Sequence, residues 1–151
     1  ITLLADAYEL GNGVEENEEE AFYWYLIAAE LGNSEAQYRL ADAYELGNGV
    51  EESEEEAFNW YLKAAERGNA EAQFWFGKRF YYGSGEIEQD GTKAVEWLKQ
   101  AASQGHVAAM YMIGLCLDND VKGIEKNTLE ARRWFKKAAD NGHVAAKVRL
   151  R

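Results

Sequence analysis

The stretch AFYWYLIAAELGNSEAQYRLADAYELGNGVEE at residues 21–52 returns 36 residues later as AFNWYLKAAERGNAEAQFWFGKRFYYGSG at residues 57–85. Residues 5–40 and 41–76 differ at only eight of 36 positions. A tryptophan, an alanine pair, a glycine and a further alanine keep this period along the chain. The tryptophans are Trp24, Trp60, Trp97 and Trp134, spaced 36, 37 and 37 residues apart. A fixed period of this length predicts a repeat protein built from stacked copies of one unit.

Within one copy, the apolar residues recur at helical spacing. Intervals of three or four residues predict one buried stripe on a helix near residues 18–31, here called helix A. The stripe consists of Ala21, Trp24, Tyr25, Ala28 and Ala29. Gly32 is expected to end helix A, because glycine adopts the left-handed backbone conformation at little cost. Asn33 or Ser34 then begins a second helix, helix B, which is predicted to run to about Leu46 with Ala36, Leu40, Ala41 and Tyr44 facing inward.

The helix starts carry capping signals. In a capping box, a short polar side chain accepts a hydrogen bond from the backbone three residues on, where a glutamate stands. The pairs that fit this pattern are Asn17 with Glu20, Ser53 with Glu56, and Asn127 with Glu130. His106 and His143 occupy equivalent positions at the start of helix B in successive copies. We predict that both are helix caps, since one repeat step of about 10 Å is too long for them to share a zinc ion.

These signals predict an all-α fold, an α-solenoid of antiparallel helix pairs in a single repeat domain over residues 1–151. One pair alone leaves apolar surface uncovered, so neighbouring pairs must stack. Residues 1–10 are expected to be helix B of a preceding repeat. The repeats are then expected at 17–52, 53–89, 90–126 and 127–151, the last ending early. Because the sequence begins at Ile1, within a repeat, we also expect it to be a fragment or a processed product.

The recurring letters match a known pattern. Gly–x–Gly–Val, followed by Ala–x–x–Trp–Tyr/Phe/Leu–x–x–Ala–Ala–x–x–Gly–Asn/His–x–x–Ala, resembles the Sel1-like repeat, a relative of the tetratricopeptide repeat. GNAEAQFWFG at Gly68 and GHVAAMYMIGL at Gly105 are similar to its second half. The resemblance covers nearly the whole chain and implies a right-handed superhelix of helix pairs. It also implies an adaptor or scaffold role, including in bacterial proteins linked to host interaction or to the envelope.

Composition and charge narrow the function classes. The chain has no proline and 14 glycines, which fits helices joined by glycine turns. Cys116 is the only cysteine, so the chain does not belong with relatives that carry a disulfide in every repeat, and we predict a buried apolar role for it. No apolar run reaches the roughly 18 residues that predict a membrane span.

The charge is unevenly spread. Residues 1–76 carry 18 acidic and 3 basic residues, a charge of −15, and residues 77–151 carry 9 acidic and 13 basic residues, a charge of +4. The acidic half argues against nucleic-acid binding, which requires cationic surface. The uneven charge favours head-to-tail contacts or a basic partner, and a plain solvated acidic surface is the alternative.

No motif predicts catalysis, a cofactor or a metal site. DNDVKGIEKNTLE from Asp118 has acids and a glycine at three calcium-loop places, but Lys122 stands at the fifth place and Leu129 at the twelfth, where a glutamate is required. The glutamate runs at 15–20 and 51–56 have no partner group that would tune them for acid–base work. We therefore predict a non-catalytic protein.

Positions that differ between copies are the candidates for binding. Tyr23, Ile27 and Leu31, here called the helix A stripe, lie four residues apart. The same positions in later copies are polar: Asn59, Lys63, Arg67, Glu96, Gln100, Gln104, Arg133, Lys137 and Asn141. An apolar stripe at a position expected to face water predicts a covered surface. The cover is either a partner or second copy, or an N-terminal repeat or capping segment.

Two further sets extend this prediction. Leu26 and Leu62 stand where the later copies have lysines. On helix B, Trp75, Arg79 and Tyr82 line up at i, i+4 and i+7, an aromatic–cation set of the kind enriched in binding hot spots. The alternative for Trp75 is that it fills a groove between repeats.

The sequence therefore favours an adaptor or scaffold that presents a solenoid surface to a protein or peptide partner, without nucleic acid or a membrane span. One alternative is a self-assembling structural element, a homo-oligomer in which the acidic half of one copy meets the basic half of the next. Another is an accessory repeat domain of a larger secreted or envelope protein. Periplasmic, secreted and cytoplasmic locations all fit.

Overall fold

The computed structural model describes residues 1–11 and 17–151, and the regular elements in these residues are helices. They are α1 (Thr2–Leu10), α2 (Glu18–Glu30), α3 (Ser34–Leu46), α4 (Glu54–Glu66), α5 (Ala70–Tyr82), α6 (Gly91–Ser103), α7 (Val107–Asp118), α8 (Thr128–Asp140) and α9 (Val144–Arg149). Among the described residues, the β-type pairing is one isolated bridge between Ser84 and Ile87. The predicted alternation is confirmed: the even-numbered helices are helix A and the odd-numbered ones helix B.

The predicted cap residues begin α2, α4 and α8, but only their side-chain half of the capping box forms, since their own backbone N–H groups donate to carbonyls of the preceding helix B rather than to the glutamates. The side chains of Asn17, Ser53 and Asn127 accept hydrogen bonds from the backbone N–H groups three residues on, at 3.1, 3.2 and 3.0 Å. Asp90, which the sequence analysis did not single out, begins α6 in the same way by accepting from the backbone of Lys93 at 3.1 Å. Every helix A in the described residues therefore starts on a side-chain cap, and each such cap typically stabilises a helix by about 1 kcal/mol.

The helix B copies α3, α7 and α9 also start on side-chain caps. Asn33, rather than Ser34, caps α3 and accepts from the backbone N–H of Ala36 at 2.9 Å. His106 and His143 accept on Nδ1 from the backbone N–H three residues on, at 3.1 and 3.2 Å, which confirms them as helix caps. Gly32 separates α2 from α3 with a φ of +92°, the left-handed conformation predicted for it.

The turn between repeats is described in full in its second copy, while residues 12–16, which complete the first GNGVEE and include the start of the glutamate run at 15–20, lie outside the described residues. Gly49 has a φ of +73°, and a Cβ placed on it would lie 2.1 Å from the carbonyl oxygen of Glu18. The turn thus requires glycine both for its backbone conformation and for the close approach of the neighbouring helix start.

The chain divides into two compact units, unit 1 at Ile1–Ala72 and unit 2 at Gln73–Arg151, with the division inside α5. In unit 1, α1 packs against α2, α2 against α3, and α3 against α4. In unit 2, α6 packs against α7, α7 against α8, and α8 against α9. Successive helices in each unit therefore bury their apolar faces against each other, as stacked pairs must.

The core of unit 1 combines small residues with buried tyrosines. One cluster of its buried side chains consists of Ala5, Ala21, Tyr25, Ala28, Ala29, Ala36 and Leu40. The Tyr25 hydroxyl lies 2.5 Å from a carboxylate oxygen of Asp6 and 2.8 Å from one of Glu9. One repeat later, the Tyr61 hydroxyl lies 2.5 Å from Asp42 and 2.6 Å from Glu45. Each core tyrosine thus has a pair of acidic partners on the preceding helix B.

The core of unit 2 replaces these tyrosines with apolar residues. Leu98 and Phe135 hold the positions equivalent to Tyr61, and both are buried. They face Gly77 and Gly114, where an added Cβ would come within 2.3 and 2.4 Å of their side chains. Cys116 is fully buried, and its burial raises the pKa of the thiol to about 12, in agreement with the predicted apolar role.

Candidate protein-binding surface

The helix A stripe lies on α2 and is largely open to solvent. Tyr23 is 53% exposed and Leu31 is 75% exposed, while Ile27 is half-buried. All nine polar residues at the equivalent positions of α4, α6 and α8 are exposed. The register therefore faces water in the later repeats, as predicted, and α2 presents apolar side chains there.

The third position of this register reaches back toward the preceding helix pair. Directly after α4, Arg67 Nη1 donates to the backbone carbonyl of Gly32 at 3.3 Å. Directly after α6, Gln104 Nε2 donates to Gln73 Oε1 at 3.0 Å. Leu31 holds this position directly after α2 and has no polar group for such a bond. The helix A stripe thus faces the side of α2 from which a preceding helix pair, or a partner in its place, would approach.

The two predicted leucines are less exposed than this stripe. Leu26 is half-buried and packs against the unit 1 core, and Leu62 is half-buried on α4. The ring of Tyr23 packs edge-to-face on Trp24, with ring centroids 5.4 Å apart. Leu26 therefore contributes to the core as well as to the surface beside the stripe.

In unit 2, Trp75, Arg79 and Tyr82 lie together on α5. The Arg79 guanidinium carbon lies 4.6 Å from the ring centroid of Trp75, a cation–π contact, and Nη1 donates to Ser84 Oγ at 2.8 Å. Tyr82 is 67% exposed, and Trp75 is half-buried against Phe76. Two contacts hold the Arg79 head group in place, so a partner that binds it loses less side-chain entropy.

Sequence reasoning missed a cavity of about 660 Å³ in unit 1, here called the α2–α4 cavity. Gly32 and Gln37 line one part of it, and Trp60, Lys63 and Arg67 on α4 line another. A difference between copies in the sequence could have indicated this cavity. The helix B position of Gln37 and Gln73 is a glutamine in both copies, whereas the position after the next helix A is Arg67 in one copy and Gln104 in the other.

A metal site requires a cluster of metal-ligating side chains, and a membrane span requires a helix that could cross a bilayer. No three His, Cys, Asp or Glu side chains among them are grouped closely enough to hold a metal ion. Within the same part of the chain, every helix is too short or too polar to cross a bilayer.

The protein-family model of the Sel1 repeat matches residues 1–33, 34–69, 70–106 and 107–143. The chain belongs to the Sel1 repeat family. Its matched segments begin with helix B, whereas the repeats defined above begin with helix A. The α-solenoid class implied by the sequence is thereby confirmed.

Solved structures of Sel1 repeat proteins are similar to this chain. A Sel1 repeat protein from Oxalobacter formigenes is 36% identical with a TM-score of 0.90, and the match covers 99% of this chain and 60% of that one. The protective antigen c5321 of uropathogenic Escherichia coli, which displays an SLR fold, is 33% identical with a TM-score of 0.87, and the match covers 99% of this chain and 32% of the antigen. Helicobacter pylori cysteine rich protein B, at 21% identity and a TM-score of 0.65, shares the fold, with 93% of this chain and 99% of that protein covered. Comparison with curated proteins gives no match.

Family membership sets the class of function. Sel1 repeat proteins generally mediate protein–protein interactions, and the family is generally non-catalytic. This Sel1 repeat chain spans 60% of the Oxalobacter protein and 32% of the E. coli antigen.

Proposed function

We propose that this Sel1 repeat chain is a protein-binding adaptor or scaffold module, and that the helix A stripe is a contact surface for its partner. The observation that carries the proposal is the exposure of Tyr23 and Leu31 at a register that is polar in α4, α6 and α8. Trp75, Arg79 and Tyr82 are proposed as a second contact surface, on unit 2.

The geometry of the stripe favours a helical partner segment. Side chains at i, i+4 and i+8 form one ridge about 12 Å long, since a helix rises about 1.5 Å per residue. Such a ridge fits the groove between side chains of a second helix. Full burial of an exposed large apolar side chain contributes about 1.5–3 kcal/mol, and these three side chains are already partly buried, so the stripe supplies only a part of the roughly 8 kcal/mol of a micromolar affinity.

The chain itself provides the substitutions that test the stripe. In the triple variant Tyr23→Asn, Ile27→Lys and Leu31→Arg, α2 receives the residues that α4 carries at the same register. We expect this variant to fold with an unchanged circular dichroism spectrum and to lose the partner that the wild type captures from the native lysate. The single variant Tyr82→Ser tests the second contact surface in the same assay and should reduce capture of the partner.

A charge-matched control separates lost apolar contact from changed charge. The double variant Glu18→Gln and Glu19→Gln adds two units of positive charge to α2, as the triple variant does, at exposed positions in the first turn. It should keep the partner. If the triple variant captures the partner as well as the wild type, the stripe is not the contact surface.

A further inference from the structure

Gln37 and Gln73 are buried glutamines at equivalent positions of successive helix B copies, and each is 3% exposed. The side-chain amide of Gln37 donates from Nε2 to the backbone carbonyl of Ala29 at 3.1 Å. The amide oxygen of such a buried side chain also requires a hydrogen bond, because an unsatisfied buried acceptor loses its hydration without compensation.

The two glutamines differ in whether the side-chain oxygen, Oε1, accepts a hydrogen bond. In unit 2, Gln73 Oε1 accepts a hydrogen bond from the amide of Gln104 at 3.0 Å. In unit 1 the residue equivalent to Gln104 is Arg67, and its guanidinium is directed to the carbonyl of Gly32 instead. Gln37 Oε1 is buried and accepts no hydrogen bond from the described residues. In unit 2 the amide of Gln104 thus occupies the position of a hydrogen-bond donor to the buried glutamine, and in unit 1 no described residue occupies that position.

Gln37, the residue that carries this oxygen, lines the α2–α4 cavity. A volume of about 660 Å³ lies within the range of small-ligand sites, about 300–1,000 Å³. Its charged lining residues, Glu30, Glu66, Lys63 and Arg67, are two acids and two bases. This balance favours a neutral polar group over an anion or a cation.

From these contacts we propose that the α2–α4 cavity binds a primary carboxamide, carried by a glutamine side chain of a partner peptide. The ligand NH₂ group donates to Gln37 Oε1, as Gln104 does to Gln73, and its carbonyl accepts from Arg67. Arg67 is exposed and its bond to Gly32 is long, at 3.3 Å, so the guanidinium turns to the ligand at little cost. This inference rests on the proposed function in one respect: the carboxamide is assigned to a partner peptide because the chain is proposed to bind proteins.

Three capped tripeptides test the site directly. The probe is N-acetyl-Ala-Gln-Ala-N′-methylamide, in which the glutamine side chain is the only primary carboxamide, and the matched probes have Glu or Ala at the centre. In an NMR titration up to about 10 mM, where fragments of this size bind, the Gln probe should shift the Gln37 side-chain amide and the Trp60 indole signals saturably. The Glu and Ala probes should bind about tenfold more weakly, the factor that one lost hydrogen bond produces. Equal binding of all three probes, or no shift with the Gln probe, overturns the proposal.

Substitutions at Arg67 provide the second arm. Arg67→Gln gives unit 1 the residue that unit 2 has at this position. The introduced amide should donate to Gln37 Oε1 and compete with the Gln probe, so the affinity for the probe should fall by about tenfold or more. Arg67→Lys supplies a cation without an amide and should retain the probe within about threefold. Full binding by the Arg67→Gln variant overturns the proposal. The triple variant of the helix A stripe should bind the probe normally, so a failure of either proposal leaves the other standing.

Discussion

At the scale of single residues, unit 1 contains core tyrosines that each face two carboxylates. The Tyr61 hydroxyl has one proton, yet it lies within hydrogen-bonding distance of both Asp42 and Glu45. Burial raises the pKa of Asp42, and the nearby Glu45 carboxylate adds to this, against the opposing effect of the Tyr61 hydrogen bond. Burial and the same hydrogen bonds also raise the pKa of Tyr61 above its ordinary value, so the hydroxyl stays protonated.

From this arrangement we predict that the charge of the Asp42 carboxylate destabilises unit 1 at neutral pH. Because the pKa of Asp42 is raised on folding, its stabilising contribution is present below its ordinary pKa of about 3.9 and is lost as the pH rises through the folded value. Asp42→Asn removes the charge, and its amide oxygen still accepts from Tyr61. We expect this variant to raise the free energy of unfolding at pH 7 by about 0.5–1 kcal/mol, measured by urea unfolding.

The pH dependence distinguishes this cause from a general change in packing. The gain from Asp42→Asn should shrink as the pH falls toward 4, because the wild-type carboxyl becomes protonated. Asp120→Asn, at an exposed turn position, should change the free energy of unfolding by less than about 0.5 kcal/mol at either pH. A gain that does not vary with pH, or a loss at pH 7, would contradict the assigned role of Asp42.

Which of these residues a sequence can reveal depends on the range of their contacts. The caps at Asn17, Ser53 and His106 were predictable, because each bonds the backbone only three residues away. The carboxylates that face Tyr61 lie 16 and 19 residues before it, on another helix, and no local pattern marks them. The unpaired oxygen of Gln37 depends on the path that a side chain on a third helix takes, so it too required the structure.

At the scale of the helices, close packing depends on a small residue on helix B opposite a large one on the next helix A. Gly77 faces Leu98, and Gly114 faces Phe135. The four tryptophans of the repeat are all half-buried, so their predicted equivalence extends to their surroundings. Helix–helix distances are therefore set by pairs of residues, and the period in the sequence identifies the positions of these pairs.

Gly114→Ala tests this packing. Alanine favours an isolated helix over glycine by about 1 kcal/mol, so propensity alone predicts a more stable protein. A Cβ at this position would lie 2.4 Å from Phe135 Cε1, and a rigid ring can relieve the overlap only by moving the helix. Since overpacking costs about 1–3 kcal/mol and the propensity gain offsets about 1 kcal/mol of it, we expect a net loss of up to about 2 kcal/mol in the free energy of unfolding.

Gly77→Ala is the matched comparison. Its Cβ would lie 2.3 Å from Cδ2 and 2.5 Å from Cγ of Leu98, which is also fully buried but has more rotamers than an aromatic ring. The cost at Gly77 should therefore be smaller than the cost at Gly114 under the same denaturant conditions. If Gly114→Ala stabilises the protein, helix propensity prevails and the contact with Phe135 is not tight.

At the scale of the whole molecule, the fold and the family could be predicted from the sequence, but the identity of a partner could not. The period of 36–37 residues fixes stacked helix pairs, because every copy must present the same apolar face to its neighbours. In our proposals, binding depends instead on positions released from that requirement, such as Tyr23 and Arg67. The variation between copies identifies such positions in the sequence, while the chemistry proposed for the partner comes from contacts in the structure.

The charge distribution offers a second candidate function at this scale. Unit 1 carries 18 acidic and 3 basic residues and unit 2 carries 9 and 13, so their charges are −15 and +4. Opposite charges on the two units favour contacts between the first unit of one copy and the second unit of another, a head-to-tail arrangement. Ionic strength controls this attraction, since the Debye length falls from about 30 Å at 0.01 M to about 8 Å at 0.15 M salt.

Self-assembly of this kind predicts species larger than a monomer at low salt that dissociate as salt is added, measured by light scattering at matched protein concentrations. Lys136→Glu with Lys137→Glu, two exposed positions on α8, lowers the charge of unit 2 from +4 to 0 and should abolish the low-salt species. The stripe variant raises the charge of unit 1 by two units and should weaken association only slightly. A monomer at both salt concentrations would remove self-assembly as a function of these charges and leave their attraction to a basic partner as the alternative.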